Sequence, residues 1–248
     1  VKLPKNLAKE HIMFKVIVMG NIRSEGIEII KEFAEPVILE EPVQEARLLE
    51  QIKDADAILH KIGKLKKDIL QHQTKLQIIA RHGVGLDDLD LDFIRTLGIP
   101  VTITPGENTN SVAELTIGLM LGLVRNICKS DVQVKKHYSW ARESFMGFEI
   151  QYLHVGIVGM GRIGNRVADL LKCMGAHVLA YDPLIELKRP DIEFLSFEAL
   201  LVKSDVITFH CPLTDGTKHM INTNNIHLVK DGAFLINTAR GGIVDQAV

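Results

Sequence analysis

Cysteine is scarce in this chain. Cys128, Cys173 and Cys211 are scattered through 248 residues and form neither a CxxC pair nor a metal-ligand spacing. That excludes a disulfide scaffold and a thiolate metal centre, and fits a reducing, cytoplasmic compartment. The ten histidines lack the grouping of a zinc site, so no metal is expected. There is no long block of like charge, and the formal net charge is −2. Nothing therefore points to a nucleic-acid partner or a membrane surface. The apolar run over residues 115–124 contains Thr116 and two glycines and is too short to span a bilayer. No cleavable signal segment is evident. What is present is ordinary for a soluble protein with a sizeable core: 46% hydrophobic and 24% charged residues. The length suggests one large or two ordinary domains.

Strands and helices alternate from Phe14 onward. Apolar and β-branched runs predict strands at 14–18, 37–39, 57–60, 76–80 and 101–104. Helical spacing predicts helices over 24–33, 43–52, 66–71 and 89–97, the last ended by Gly98. Such alternation predicts a parallel sheet covered by helices. Pro105-Gly106 breaks the pattern. A long helix is then expected from a capping box at Ser111 and Glu114 through Leu115, Leu119, Leu121 and Val124 towards His137. A second alternating unit begins near His154, with strands near Val155, Val178, Glu193, Val206 and Ala233. The expected domains are 13–106 and 107–248, the latter opening with the long interdomain helix. Ligands of paired α/β domains bind in a cleft at the carboxyl ends of strands. Residues 1–12 read as an appended segment.

The second unit opens with a dinucleotide-binding pattern. An apolar strand runs into Gly159-Met160-Gly161-Arg162-Ile163-Gly164, an amphipathic helix follows, and a second strand ends at Tyr181-Asp182-Pro183. Gly159 permits a tight turn, Gly161 lets the backbone approach a pyrophosphate, and Gly164 lets helix pack on strand. Phosphates sit on the helix N-terminus, where free N–H groups and the helix dipole favour anions. Asp182, 18 residues beyond Gly164, is placed to accept from an adenosine ribose. A carboxylate there repels a 2′-phosphate, which favours NAD over NADP. Lys188 and Arg189 lie near enough to soften that preference, or are plain solvated loop charges.

Two further kinds of string carry a resemblance. Residues 237–245 read Asn-Thr-Ala-Arg-Gly-Gly-Ile-Val-Asp, and with the glycine loop they resemble the NAD-dependent D-isomer-specific 2-hydroxyacid dehydrogenases. Arg81-His82-Gly83-Val84-Gly85-Leu86-Asp87 resembles that family's substrate loop. The stretch 105–114 resembles its hinge, and His210-Cys211-Pro212-Leu213 its adenine-side strand end. The resemblance runs from Met13 to the last residue and is greatest to the phosphoglycerate dehydrogenase branch. It implies two α/β domains: a flavodoxin-like substrate domain, and a Rossmann-type doubly wound sheet incomplete at its C-terminal edge.

It also implies a chemistry: hydride transfer between nicotinamide C4 and C2 of a 2-hydroxy or 2-keto acid. Arg240 is then the catalytic residue, holding the substrate carboxylate and carbonyl oxygen with a planar, permanently charged fork and stabilising charge that develops there. Val84 and Gly85 offer backbone N–H groups to the substrate, and Asn108 and Lys61 join them as substrate residues. Lys61 and Lys64 are candidates for a substrate phosphate or are ordinary solvated lysines; His82 is read as a loop residue and Glu114 as a capping or interdomain residue. The cofactor set comprises Gly159, Gly161, Arg162, Ile163, Gly164, Tyr181, Asp182, Pro183, His210, Cys211, Pro212, Thr217, Thr238 and Ala239. A homodimer through the nucleotide domain is implied, with Trp140 as an aromatic anchor at the interface or a core residue.

The family's glutamate and proton-donating histidine follow the arginine and have no counterpart within these 248 residues. The expectation is a truncated product, or a chain whose tail lies outside this sequence. These residues alone should bind cofactor in part and turn over very poorly. The leading function is oxidation of 3-phosphoglycerate to 3-phosphohydroxypyruvate in serine biosynthesis. The alternatives are an NAD-sensing co-repressor-like interaction protein, or a formate or phosphite dehydrogenase of the same architecture.

Overall fold

The computed structural model describes residues 14–138 and 142–248. The chain divides after Glu107 into two compact units. Residues 1–13 and Trp140 lie outside the described residues, and with them the appended segment and the tryptophan anchor.

The first unit runs β1 (Phe14–Met19), α1 (Ser24–Lys31), β2 (Ala34–Leu39), α2 (Glu45–Gln51), a 3-10 turn (Ile52–Asp54), β3 (Ala57–His60), α3 (Lys67–Leu70), β4 (Ile78–Arg81), α4 (Leu91–Thr96) and β5 (Val101–Thr102). Its strands pair in parallel in the order β2-β1-β3-β4-β5. This is the flavodoxin-like order that the alternating pattern and the family resemblance together lead one to expect. Parallel neighbours need crossovers, and helices on the sheet faces bury the central strands on both sides. Ile17, Met19, Ile58 and Ile79 are accordingly inaccessible to solvent, each such side chain contributing about 1.5–3 kcal/mol relative to exposure. The Asp90 carboxylate caps α4 by accepting from the Phe93 N–H at 3.1 Å, and Gly98 follows its end with φ +68°.

The second unit contains α5 (Thr109–Val124), α6 (Ile127–His137), 3-10 turns at Arg142–Phe145 and Ile150–Tyr152, β6 (His154–Val158), α7 (Arg162–Cys173), β7 (His177–Tyr181), β8 (Glu193–Phe194), α8 (Phe197–Lys203), β9 (Val206–Phe209), a 3-10 turn (Ile226–Leu228), β10 (Phe234–Asn237) and a 3-10 turn (Gly241–Ile243). Its parallel sheet has the order β10-β9-β6-β7-β8, the doubly wound Rossmann sequence of strands with β10 at one edge. A core of Val155, Ile157, Val167, Leu171, Ala180 and Val206 joins α7 to the sheet.

Two expectations are corrected. The single long helix is two, bent by 59° at a break. Asn126 sits there in the left-handed region (φ 54°), a conformation that Asn tolerates better than most residues. The returning chain explains the break: the Phe148 N–H donates to the Val124 carbonyl at 2.8 Å and the Asn126 amide donates to the Met146 carbonyl at 3.0 Å. The helix also starts earlier than the capping box implied. Asn108 is its cap position and Thr109 its first residue, so Ser111 and Glu114 lie inside the helix and Glu114 is solvent-exposed. Among the described residues no single helix is long and apolar enough to cross a membrane.

Candidate functional site

In the second unit β6, β7, β9 and β10 are parallel, so Gly159, Asp182, His210 and Thr238 all stand at the same, carboxyl end of one sheet. Gly159 turns there with φ +94°, and a Cβ on it would lie 2.8 Å from the Cys211 nitrogen and 2.9 Å from the His210 carbonyl carbon. A Cβ on Gly164 would lie 2.0 Å from the Gly159 carbonyl oxygen. Neither position has room for a side chain. Gly161 is different, because a Cβ there would meet nothing within 4 Å. The middle glycine faces open space at the start of α7, whose first turn carries no acid. The first amides of α7, at Arg162, Ile163 and Gly164, have no acceptor inside the helix. Asn165 braces this turn, donating to the Met160 carbonyl at 2.5 Å and the Gly161 carbonyl at 3.1 Å. Backbone donors, open space and a helix dipole together fit the diphosphate of a dinucleotide.

Asp182 does more than the spacing implied. Its Oδ2 accepts from the Met160 N–H at 2.8 Å and its Oδ1 from the Leu184 N–H at 2.9 Å. Each oxygen keeps a second lone pair for a ribose hydroxyl. Tyr181 is half-buried, its ring 5.4 Å from that of Phe197, and its carbonyl accepts from the Gly159 N–H at 2.9 Å. Pro183 follows on the surface. Arg189 is occupied: it pairs with Asp169 at 2.6 Å and Asp191 at 2.9 Å. Lys188 lies over the Phe194 ring. Arg189 is thus held by its own carboxylate partners and Asp182 keeps its charge at the end of β7, consistent with NAD rather than NADP.

After β9, the His210 N–H donates to the Val158 carbonyl at 2.8 Å, and the His210 Nε2 lies 3.0 Å from the Thr208 hydroxyl. Burial pushes the His210 imidazole down to about 4, so it is neutral at physiological pH. Burial likewise raises the Cys211 thiol, which makes it a poor nucleophile. Thr217 closes the following loop, donating to the Pro212 carbonyl at 2.6 Å and accepting from the Thr214 N–H at 2.7 Å.

After β10, two residues that the motif left unexplained hold the loop. The Asn237 side chain accepts from the Ala239 N–H at 3.0 Å and donates to the Arg240 carbonyl at 2.8 Å. An Asn at a strand end is a turn-former by its own chemistry, which was the signal to read. Thr116, fully buried in α5, lies 3.0 Å from the Thr238 hydroxyl. Thr116 spends its proton on the Val112 carbonyl, so Thr238 is the donor between the two. Arg240 is exposed, with Nη1 donating to the Ala239 carbonyl at 2.9 Å.

In the first unit Lys61 follows β3, and Val84 and Gly85 follow β4, at the carboxyl end of that sheet. The Lys61 ammonium donates to the Asn21 carbonyl after β1. The amides of Val84 and Gly85 donate to no protein acceptor among the described residues. His82 and Lys64 are exposed. Asn108 is exposed at the start of α5, and its carbonyl accepts from the Val112 N–H at 3.0 Å. Among the described residues no cluster of three or more His, Cys, Asp or Glu side chains is placed to hold a metal ion.

Comparison with known proteins agrees with this geometry. Residues 117–248 match the family model for the D-isomer specific 2-hydroxyacid dehydrogenase, NAD binding domain. The chain is 36% identical over 239 residues to a D-3-phosphoglycerate dehydrogenase of Methanocaldococcus jannaschii, covering 94% of this chain and 45% of that protein. It is 34% identical over 234 residues to a hydroxypyruvate reductase of Thermotoga maritima, covering 94% of this chain and 76% of the relative. The crystal structure of a D-lactate dehydrogenase from Aquifex aeolicus, complexed with NAD and lactic acid, superimposes with a TM-score of 0.79 at 34% identity, covering 92% of this chain and 70% of that one. The chain therefore spans less than half the length of the phosphoglycerate dehydrogenase it matches. The glycine turn that fits a dinucleotide, the Rossmann strand order and these matches lead to one conclusion: the chain belongs to the D-isomer specific 2-hydroxyacid dehydrogenases and carries their NAD-binding domain.

Proposed function

We propose that the protein is an NAD-dependent oxidoreductase acting on a D-2-hydroxy acid and its 2-keto acid, with 3-phosphoglycerate and 3-phosphohydroxypyruvate as the preferred pair and serine biosynthesis as its setting. The observation that carries the reading is the placement of the glycine turn, Asp182 and the Arg240 loop at one end of one parallel sheet. NAD, when bound, supplies or accepts the hydride. Gly159, Gly161 and Gly164 with the α7 amides of Arg162 and Ile163 hold its diphosphate, and Asp182, with Tyr181 and Pro183 beside it, receives the ribose. His210, Cys211, Pro212 and Thr217 line the adenine side, while Thr238 and Ala239 flank the cofactor ahead of Arg240. Arg240 orients the substrate carboxylate and carbonyl oxygen and steadies charge on that oxygen. Val84, Gly85, Asn108 and Lys61 are assigned to the substrate. The chemistry needs no metal, and the setting is the cytoplasm.

The test, on the full-length protein that includes the family's glutamate and histidine, is NADH-dependent reduction of a panel of 3-phosphohydroxypyruvate, hydroxypyruvate, glyoxylate and pyruvate, with formate and phosphite offered to NAD. The expected result is the highest kcat/KM with 3-phosphohydroxypyruvate. Preference for another keto acid moves the substrate within the family. Tight NADH binding with no turnover on any of them favours the interaction-protein reading and overturns this one.

We also propose a homodimer through the NAD-binding domain. Leu115, Leu119, Leu123 and Ile127 recur every four residues and are 55%, 45%, 43% and 53% exposed, with Met146 and Phe148 exposed as well. An apolar stripe of that kind marks a contact surface, and a second copy of this chain is the assigned occupant. Leu119→Asp should convert a sedimenting dimer to monomer; an unchanged dimer argues against this face.

A further inference from the structure

We propose that His60 is a positioning residue for the loop after β4: its neutral imidazole, with the proton on Nε2, braces Arg81 and so sets the Val84 and Gly85 N–H groups for a substrate carboxylate. The proposal rests on the reading above that those amides meet substrate. Its grounds are geometric. His60 and Arg81 end neighbouring parallel strands and are paired in register. His60 is wholly buried. Its Nε2 lies 2.8 Å from the Gly63 carbonyl oxygen. A carbonyl only accepts, so Nε2 carries the hydrogen. Its Nδ1 lies 2.8 Å from the Arg81 Nη1. A guanidinium has donors and no acceptor, so Nδ1 is the bare lone pair. One tautomer satisfies both contacts.

Arg81 passes the constraint on. Its Nη1 also donates to the Lys61 carbonyl at 2.6 Å and its Nε to the Gly85 carbonyl at 2.8 Å. The loop is further tied by the His82 N–H on the His60 carbonyl (2.9 Å) and the Thr104 N–H on the Gly83 carbonyl (3.0 Å). Among the described residues, the hydrogen bonds of residues 82–85 use groups other than the Val84 and Gly85 N–H. The arrangement spends the Gly83 and Gly85 carbonyls on the protein and leaves those two donors for a ligand. A charged imidazole would set N–H against N–H and cation against cation at Arg81. Burial and Arg81 both push His60 below its ordinary range, against the Gly63 hydrogen bond and the more distant Asp88.

Three substitutions separate the two ends of the brace. His60→Asn keeps an acceptor where Nδ1 was but cannot reach Gly63. His60→Gln keeps a donor for Gly63 but offers Arg81 nothing, and His60→Leu keeps neither. The experiment uses the 248-residue chain with saturating NADH. Imidazole nitrogen and backbone amide resonances are recorded by NMR, and oxalate is titrated as a carboxylate probe. The expected results are an Nε2–H tautomer, movement of the Val84 and Gly85 amides on adding oxalate, and oxalate binding about tenfold weaker in His60→Leu and His60→Gln. His60→Asn should stay within about threefold of wild type, and NADH affinity should match in all four, which also reports folding. An Nδ1–H tautomer, or wild-type oxalate affinity and Gly85 resonance in His60→Leu, overturns the proposal. So does His60→Asn binding as weakly as His60→Leu. Oxalate that leaves both amides unmoved in wild type overturns the substrate reading, and with it the purpose of the brace. An Nε2–H tautomer in that case shows that the reading failed rather than the geometry.

Discussion

Asp182 holds the glycine turn from the end of the neighbouring strand: its Oδ2 accepts the Met160 N–H at 2.8 Å. The spacing of the motif assigns that carboxylate to a ribose, and the structure gives it a second task. A buried or half-buried amide needs a partner, and an ionised carboxylate is a strong one. The residue proposed to read the cofactor therefore also shapes the glycine turn.

Asp182→Ala should then cost both stability and affinity. Two backbone donors, at Met160 and Leu184, lose a charged acceptor, a loss of about 1–3 kcal/mol in chemical denaturation. NADH should bind about tenfold or more weakly, and the preference over NADPH should narrow because the repelling charge is gone. Full stability with weakened NADH would mean that the Met160 contact carries no weight.

The glycines of the turn should respond in opposite ways. Gly164→Ala drives a Cβ to 2.0 Å from the Gly159 carbonyl oxygen, and should lower unfolding stability by about 2–3 kcal/mol. Gly161→Ala meets no protein atom within 4 Å, so its stability should stay within about 0.5 kcal/mol of wild type. NADH affinity should nevertheless fall about tenfold, because the methyl would occupy the space proposed for the diphosphate. Thermal melts and NADH titrations of the pair suffice; a destabilised Gly161→Ala would contradict the open-space assignment.

Arg240 and Asn237 should separate by degree. Arg240→Lys removes a planar fork from an exposed position, and should lower kcat/KM for the keto acid about a hundredfold without altering the melting temperature. Asn237→Ala frees the Ala239 N–H and Arg240 carbonyl that it bridges, and should cost about tenfold in kcat/KM. NADH dissociation constants should be unchanged in Arg240→Lys. Steady-state kinetics on the full protein decide this. Equal activity of Arg240→Lys and wild type would remove Arg240 from the substrate.

His210 makes acid stability predictable in sign. Its imidazole is held down at about 4 by burial, while an unfolded chain titrates near the ordinary value of about 6.5. Between those values the unfolded chain binds the extra proton, so stability falls as pH drops from about 6.5 to about 4 and the contribution is constant below that. The full difference is on the order of 3 kcal/mol. Urea unfolding across that window should show a shallower slope for His210→Gln. An unchanged slope would mean that His210 titrates normally in the folded protein.

Much of this was legible in the residues alone. The alternation of apolar runs and helical spacing dictated two parallel sheets, because a strand buried on both faces and an amphipathic crossover have few other ways to pack. The tight turn at Gly159 and the close approach at Gly164 were equally readable, since a Cβ at either would strike backbone. Local pattern went no further than local chemistry. It continued one helix through Asn126, where the returning Met146 and Phe148 take its end groups. It read His60 as the end of a strand, although that ring closes a network with Arg81, 21 residues away. It saw a free ribose ligand in Asp182, whose oxygens were already serving backbone amides, one of them 22 residues earlier. Periodicity decides which segments become strands and helices. Which side chain satisfies a distant backbone donor depends on segments that meet only after the sheets have formed, and that was settled by the tertiary structure.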